Sequence, residues 1–381
     1  MRELLRDRRF LHATAVLVGT MVGVGIYGIP FAFAKAGFWV GALWLLALGG
    51  VMALSYLLFA ELVLSTQGIH QVSGYANIWL GAWGRRLMTA ANVLGIYGAL
   101  LAYLIVAGEF LHNILSQFFG VDPQLYSILF ALGWSLLWLA RARTMAGIEL
   151  ALIGVYTGVI GIIAAVGIPH IDPQHFLGWT PELWYLPYGV VLFALAGMTA
   201  VPIQRQLLVG RERLMRPAII TATVVAAVLY LLFALVVVGV SGDVTSPEAL
   251  AGLFGFMGTP IIILGSILGV LTISTSYVVL GTALYETFHI DYRVSPLVAW
   301  LTTLIPPVLL FISGLRNFID VIGLVGAVSV GIQGVLILGA YLRARRMRLR
   351  APEIEVRIPS WAVWVIMLIL TAGVLYELLQ R

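Results

Sequence analysis

Four glycines and a proline crowd the segment GTMVGVGIYGIP, Gly19–Pro30, in the middle of the first long apolar run of the chain. A helix so interrupted opens there and frees backbone N–H and C=O groups. Hydrocarbon tolerates such groups only where they line a protein-walled cavity holding something polar, a small substrate or an ion. A second segment, FALAGMTAVP from Phe193 to Pro202, repeats the outline of small residues followed by proline at a corresponding place in the second half. Paired interruptions of this kind mark the binding site of a secondary transporter. Carboxylates are the other chemical groups of interest. Glu61, Glu109, Glu149 and Glu286 lie in or near apolar segments, where an ionisable side chain is a functional candidate.

The elements that must position these groups are membrane-spanning helices. The chain of 381 residues is 61% hydrophobic and 10% charged, with a mean hydropathy of +1.03. A span needs about 20 mostly apolar residues. Apolar runs near 11–36, 41–64, 87–116, 124–140, 147–168, 183–204, 218–240, 259–285, 295–313, 318–341 and 360–379 predict an all-α polytopic membrane protein of eleven spans. No basic leader with a small-residue cleavage site precedes the first run, so that run is expected to stay in the fold. Cysteine is absent, which excludes disulfides, thiolate metal sites and cysteine nucleophiles.

Basic residues give the threading. With the N-terminus inside, 19 of the 22 Lys and Arg residues fall in predicted inner loops or ends, and only Lys35, Arg316 and Arg381 fall outside. This predicts a cytoplasmic N-terminus, an outer C-terminus and residence in the cytoplasmic membrane. The net charge of +5 is then a topology signal and not a nucleic-acid footprint. Grouping spans one to five (about 10–168) and six to ten (about 183–341) makes two halves of opposite orientation, with the span at about 360–379 outside the repeat. Each half opens with an interrupted helix. This is the logic of the LeuT-type fold, a single transmembrane domain with a 5+5 inverted repeat plus one helix and with helices 1 and 6 broken. Glycines that merely allow close helix packing are the plainer alternative.

Several segments carry a family resemblance: GVGIYGIPFAFAKAG in span one, AYLIVAGEFL (Ala102–Leu111) in span three, TSYVVLGTALYE (Thr275–Glu286) in span eight and LIPPVLLF (Leu304–Phe311) in span nine. In order and spacing the chain resembles the amino acid/polyamine/organocation superfamily, and within it the bacterial aromatic and hydroxy amino acid permeases of the tryptophan and tyrosine type. The resemblance implies cation-coupled symport of a neutral amino acid, aromatic or hydroxy-bearing ones among the candidates, by alternating access. An exchanger or a non-transporting nutrient receptor of the same fold is the alternative. No cofactor is implied beyond a coupling ion, and the partners are the amino acid, Na+ or H+, and the bilayer.

A zwitterion then meets its complement in the opened helices. N–H groups of Gly23, Val24, Gly25 and Ile26 suit its carboxylate, with the helix dipole favourable. Carbonyls around Thr20 and Met21, or around Phe193, Ala194 and Ala196, suit its ammonium, and Gly197 allows close backbone approach. Tyr27, Tyr97, Tyr103, Phe193 and Tyr277 fall on spans that surround such a site and suit an apolar or aromatic side chain. The Gly197 to Pro202 interval is longer than in the bacterial permeases, so tryptophan or tyrosine is not carried over as the substrate.

In the LeuT-type pattern a sodium ion sits between carbonyls of span one, here Gly19 and Val22, and hydroxyls of span eight, here Thr275 and Ser276. Neutral oxygen ligands suit a hard cation, although Ser and Thr in apolar helices also bond back to their own helix. Some superfamily members use a lysine on span five instead of sodium, but the only lysine here is Lys35. Glu109 is the proton-coupling candidate, since it belongs to the family-like AYLIVAGE segment near the outer side. Glu61, Glu149 and Glu286 lie near inner ends, where snorkelling or an arginine partner explains them. An intramembrane hydrolase reading fails for want of HExxH and GxGD. The GVSG segment, Gly239–Gly242, offers Ser241 as a nucleophile, but His12, His70, His112, His170, His175 and His289 all fall in loops or near span ends.

Overall fold

The computed structural model describes residues 7–139, 146–253, 256, 258–347 and 350–380, with side chains except those of 146–153 and 291. Glu149 therefore lies outside the described side chains, and Arg141 and Arg143 outside the described residues. Among the described residues the secondary structure is helical throughout.

Asp7 caps the first helix: its carboxylate accepts the N–H groups of Arg9 and Phe10 at 3.0 and 3.4 Å. Helix α1 (Arg8–Met21) ends where the glycines begin, and α2 (Gly25–Ala36) resumes after a bend of 55°. The opening sits at residues 22–24, whereas Pro30 lies inside α2. Gly37, at φ +106°, turns the chain into α3 (Phe38–Ser65). A short helix that hydropathy did not indicate, α4 (Val72–Leu80), leads into the long α5 (Ala82–Leu115). Helices α6 (Pro123–Leu139) and α7 (Ala146–Gly167) follow.

The second interruption separates α8 (Leu186–Ala194) from α9 (Ala200–Leu207). Pro202 falls in the first turn of α9, where its missing N–H forfeits no helical bond. Helices α10 (Met215–Ser241), α11 (Thr259–Glu286) and α12 (Pro296–Ile312) come next. Then α13 (Phe318–Val325) passes through a π turn, Gly326–Val330, into α14 (Gly331–Met347). The chain closes with α15 (Ser360–Gln380).

Six of these stretches are long and apolar enough to cross a membrane, seven when α1 and α2 count as one. Three shorter apolar helices are Pro123–Leu139, Gly154–His170 and Pro296–Ile312. The half-helices are at the centre of the packing: α1 lies against α9 and α10, α2 against α8 and α10, and α8 against α13 and the π turn. Helix α5 is braced by α6 and α11, and α15 leans on α14 at the periphery. Only 22% of the α15 span window is buried, against 78% for Phe318–Met347, so α15 adds little to the core that holds the site.

Candidate functional site

Both helix interruptions line one cavity of about 120 Å³. The first contributes Thr20, Met21, Gly23, Val24 and Gly25, and the second contributes Phe193, Ala196, Gly197, Met198 and Thr199. Helix α5 closes one wall with Asn92, Gly95, Ile96, Ala99 and Tyr103. Leu280 of α11 and Val325, Ser329, Val330 and Gln333, around the π turn, complete it. No Asp, Glu, Lys, Arg or His is among these residues, so backbone groups and neutral side chains must neutralise any charge the occupant carries.

The backbone supplies what such a site needs. Gly23 N–H turns back to the Met21 carbonyl at 2.9 Å, which leaves the Gly19 carbonyl without its helical donor. Among the described residues the carbonyls of Gly19, Val22 and Ala196 accept no hydrogen bond, and the N–H groups of Val24, Met198 and Thr199 donate none. Gly25 opens α2, so its N–H belongs to the unsatisfied first turn. The cavity wall therefore offers anion-binding N–H groups at the start of two half-helices, and cation-binding carbonyls beside them.

Gly23 keeps that cradle open. A Cβ built there would meet only the Tyr103 hydroxyl at 3.6 Å and the Ser276 hydroxyl at 3.8 Å. The hydroxyls of Tyr103 and Ser276 both face this point, which brings α5 and α11 to the same corner of the site. Gly25 serves a different purpose, since a Cβ on it would come 2.7 Å from the Ala194 backbone. It lets the two half-helices touch. Gly197 is intermediate: a Cβ there would press on Leu17 at 2.8 Å and approach the Tyr56 hydroxyl at 3.3 Å.

Two buried tyrosines, unremarked in the sequence, brace the openings. Tyr230 of α10 directs its hydroxyl between the Met21 carbonyl at 2.8 Å and the Ala194 carbonyl at 2.7 Å, one in each interruption. Tyr56 of α3 donates to the Leu195 carbonyl and faces Gly197 N–H. Consequently the carbonyls of Met21 and Ala194, expected to receive an ammonium, are engaged by protein. Phe193 C=O accepts from Ala196 N–H at 3.1 Å. Of the expected acceptors outside the α1 helix, the Ala196 carbonyl remains open. The only sequence-level signal for the tyrosines was a hydroxyl in an otherwise apolar run.

Other expected residues lie apart from the cavity. Ile26 and Tyr27 face away from it into a second, apolar pocket of about 20 Å³ with Tyr156 and Phe233. Tyr97 donates to the Thr302 carbonyl at 2.6 Å, and Tyr277 stacks on Trp138 with ring centres 5.2 Å apart. Thr275 bonds back to the Thr272 carbonyl at 2.9 Å, while Ser276 points toward Gly23. Glu109 is exposed near the far end of α5, with Glu248, Asp122 and His112 as its titratable neighbours. Glu61 accepts Val356 N–H at 2.7 Å with Arg345 near by, an anchor for the segment before α15. Ser241 bonds to the Val237 carbonyl and to Thr245, each at 2.7 Å, and His175 takes the Gly239 carbonyl at 2.8 Å. Ser241 is thus part of a capped turn, with its hydroxyl committed to that turn.

Comparison with known proteins accords with this geometry. A tyrosine-specific transport system 1 of Haemophilus influenzae is 24% identical over 95% of this chain and 94% of its own length. A putative sodium-coupled neutral amino acid transporter 11 of Bos taurus is 27% identical, over 41% of this chain and 36% of its own. The crystal structure of MhsT in complex with L-phenylalanine superposes with a TM-score of 0.67, covering 98% of both chains at 15% identity. That likeness establishes a LeuT-like fold. The family model of the tryptophan/tyrosine permease family matches residues 6–380, and the chain accordingly belongs to that family of amino acid transporters and is a multi-pass membrane protein, not an enzyme.

Proposed function

We propose that the chain is a secondary active symporter that takes up a neutral amino acid by alternating access, driven by Na+ or H+. The observation that carries this reading is the convergence of both helix interruptions on one cavity without ionised side chains, where unpaired N–H groups of one half-helix stand beside unpaired carbonyls of another. A zwitterion is the solute whose two charges such a wall can pair. Its carboxylate binds the free N–H groups of Val24 and Gly25, in the space Gly23 leaves open, within reach of Tyr103 and Ser276; the N–H groups of Gly23 and Ile26, also expected as donors, are taken by the Met21 and Gly23 carbonyls. Its ammonium binds the Ala196 carbonyl, with the carbonyl of Thr20 as a further acceptor.

Eleven spans follow when the three shorter apolar helices and the α8–α9 pair each count as a crossing. The two halves then form an inverted repeat, with the N-terminus cytoplasmic and the C-terminus outside in the cytoplasmic membrane. Sodium coupling is supported by the free carbonyls of Gly19 and Val22, by the side chain of Ser276 in the same region, and by the name of the bovine relative. Thr275 contributes less, because its hydroxyl is taken by its own helix. Proton coupling would rest on Glu109, exposed near the far end of α5.

Uptake of labelled amino acids into proteoliposomes, with sodium and proton gradients imposed separately, tests the proposal. Accumulation driven by sodium and reduced in Ser276→Ala is expected. Accumulation driven by protons alone would move the coupling to Glu109. Binding without accumulation under either gradient would overturn symport in favour of an exchanger or receptor.

A further inference from the structure

Outside the cavity, α5 and α12 are pinned in register by the bond from the Tyr97 hydroxyl to the Thr302 carbonyl. On α5, Arg86, Ala90, Val93 and Tyr97 recur at i, i+4, i+7 and i+11 and so share one face. Ala90 and Leu94 on this helix, and Val298 and Thr302 on α12, are exposed, so the seam between the two helices is open at the surface. It ends in two arginines. Arg86 stands eleven residues before Tyr97, about 16 Å along α5 at 1.5 Å per residue. Arg293 precedes the Ser295 cap of α12. From Thr302, about 9 Å of helix and at most about 10 Å of extended chain lead back to it. In the threading proposed above both helices run outward, which sets both arginines at the inner face. Arg293 is held there in a left-handed backbone, φ +54°, that few residues other than glycine adopt. His289 Nδ1 fixes the turn by donating to the Val294 carbonyl at 2.8 Å, and Tyr292 N–H does so on the Thr287 carbonyl at 3.3 Å.

Among the described residues neither arginine makes a hydrogen bond or an ion pair, and both are exposed. Trp83 and Tyr292, also exposed, neighbour them in the chain and are of the aromatic types that settle at headgroup depth. An apolar seam that ends in two unpaired guanidinium groups fits an amphiphile with an anionic head, and paired guanidinium N–H donors match the oxygens of a phosphate. We propose that the seam between α5 and α12 binds one anionic phospholipid of the inner leaflet. Its phosphate sits on Arg86 and Arg293, and its chains lie along Ala90, Leu94 and Val298. Arg85 gives the contrast. It too is exposed and unpaired among the described residues, but it lies about 120° round the helix from Tyr97 at 3.6 residues per turn, off the seam, and adds only positive charge to the inner face.

The test equilibrates the purified full chain in detergent with equal amounts of a short-chain phosphatidylglycerol and the matching phosphatidylcholine, whose headgroup carries its own compensating charge. The lipid retained is counted by native mass spectrometry. The expected result is one phosphatidylglycerol per chain, preferred over phosphatidylcholine by about tenfold or more, the size that two arginines at an anionic headgroup give. In the double variant Arg86→Gln, Arg293→Gln that preference falls to within about twofold, while Arg85→Gln keeps it. Equal retention of the two lipids by the wild-type protein overturns the proposal without recourse to any variant. A preference that persists in the double variant overturns it as well. So does an equal loss in Arg85→Gln, because the attraction is then diffuse surface charge. Displacement of the phosphatidylglycerol by millimolar inorganic phosphate would make this a soluble-anion site and overturn the lipid. No amino acid enters the measurement, so failure here leaves the transport reading as it stands.

Discussion

The hydroxyl of Tyr230 stands between the two openings and ties the carbonyls of Met21 and Ala194 to α10. Its removal takes away the side-chain donor that meets the buried Ala194 carbonyl. Tyr230→Phe is expected to cost about 1–3 kcal/mol of stability, read as a lower thermal unfolding midpoint in detergent, and to weaken amino acid binding with it. Nothing in the run VVAAVLYLLFALVVV separates a bracing tyrosine from a packing one, because its partners exist only once the helices have opened and packed. Glycines are different. Gly19, Gly23 and Gly25 were legible since backbone permissiveness is a local property. Even so, the sequence could not say that Gly23 spaces a site while Gly25 joins two helices.

At the scale of elements, the close approach of α2 to α8 is what sets the two openings side by side. Gly25→Ala, with its Cβ 2.7 Å from the Ala194 backbone, is expected to push these half-helices apart and destabilise the protein by about 1–3 kcal/mol, measured again as thermal unfolding. Apolar runs located the long helices to within a few residues, since hydrocarbon thickness fixes their length. Three features escaped that reading. Helix α4 is too short to register as a span, the π turns at Thr287–Asp291 and Gly326–Val330 have no compositional mark, and the first opening precedes Pro30 instead of ending at it. The last has a simple cause: a proline six residues into α2 forfeits one hydrogen bond, whereas the run of glycines before it lets the chain turn.

Across the whole molecule, polar ties gather the half-helices with their neighbours. Arg205 of α9 donates to the carbonyls of Val63, Thr66 and Gly68 at 2.5, 3.2 and 2.7 Å, capping the C-terminal end of α3. Arg211 pairs with Asp7 at 2.5 Å before α1, and Gln204 donates to the Ala13 carbonyl at 2.9 Å. With Tyr230 and Tyr56, these contacts bind α1, α3, α9 and α10 to one another. Charge asymmetry along the sequence bears on threading alone and carries no signal for these ties, which depend on which loop ends fold together.

The central claim is that the opened backbone around Gly23 is where the amino acid sits. Equilibrium binding of labelled amino acid to purified Gly23→Leu tests it most directly, because a Cβ at this position meets nothing closer than 3.6 Å and the added side chain has only the cavity to enter. The expected result is loss of binding by about a hundredfold or more, as for a pocket filled by a side chain of several methylene groups, with thermal unfolding unchanged. Binding retained at wild-type affinity in a folded Gly23→Leu protein would contradict the account and place the amino acid elsewhere in the molecule.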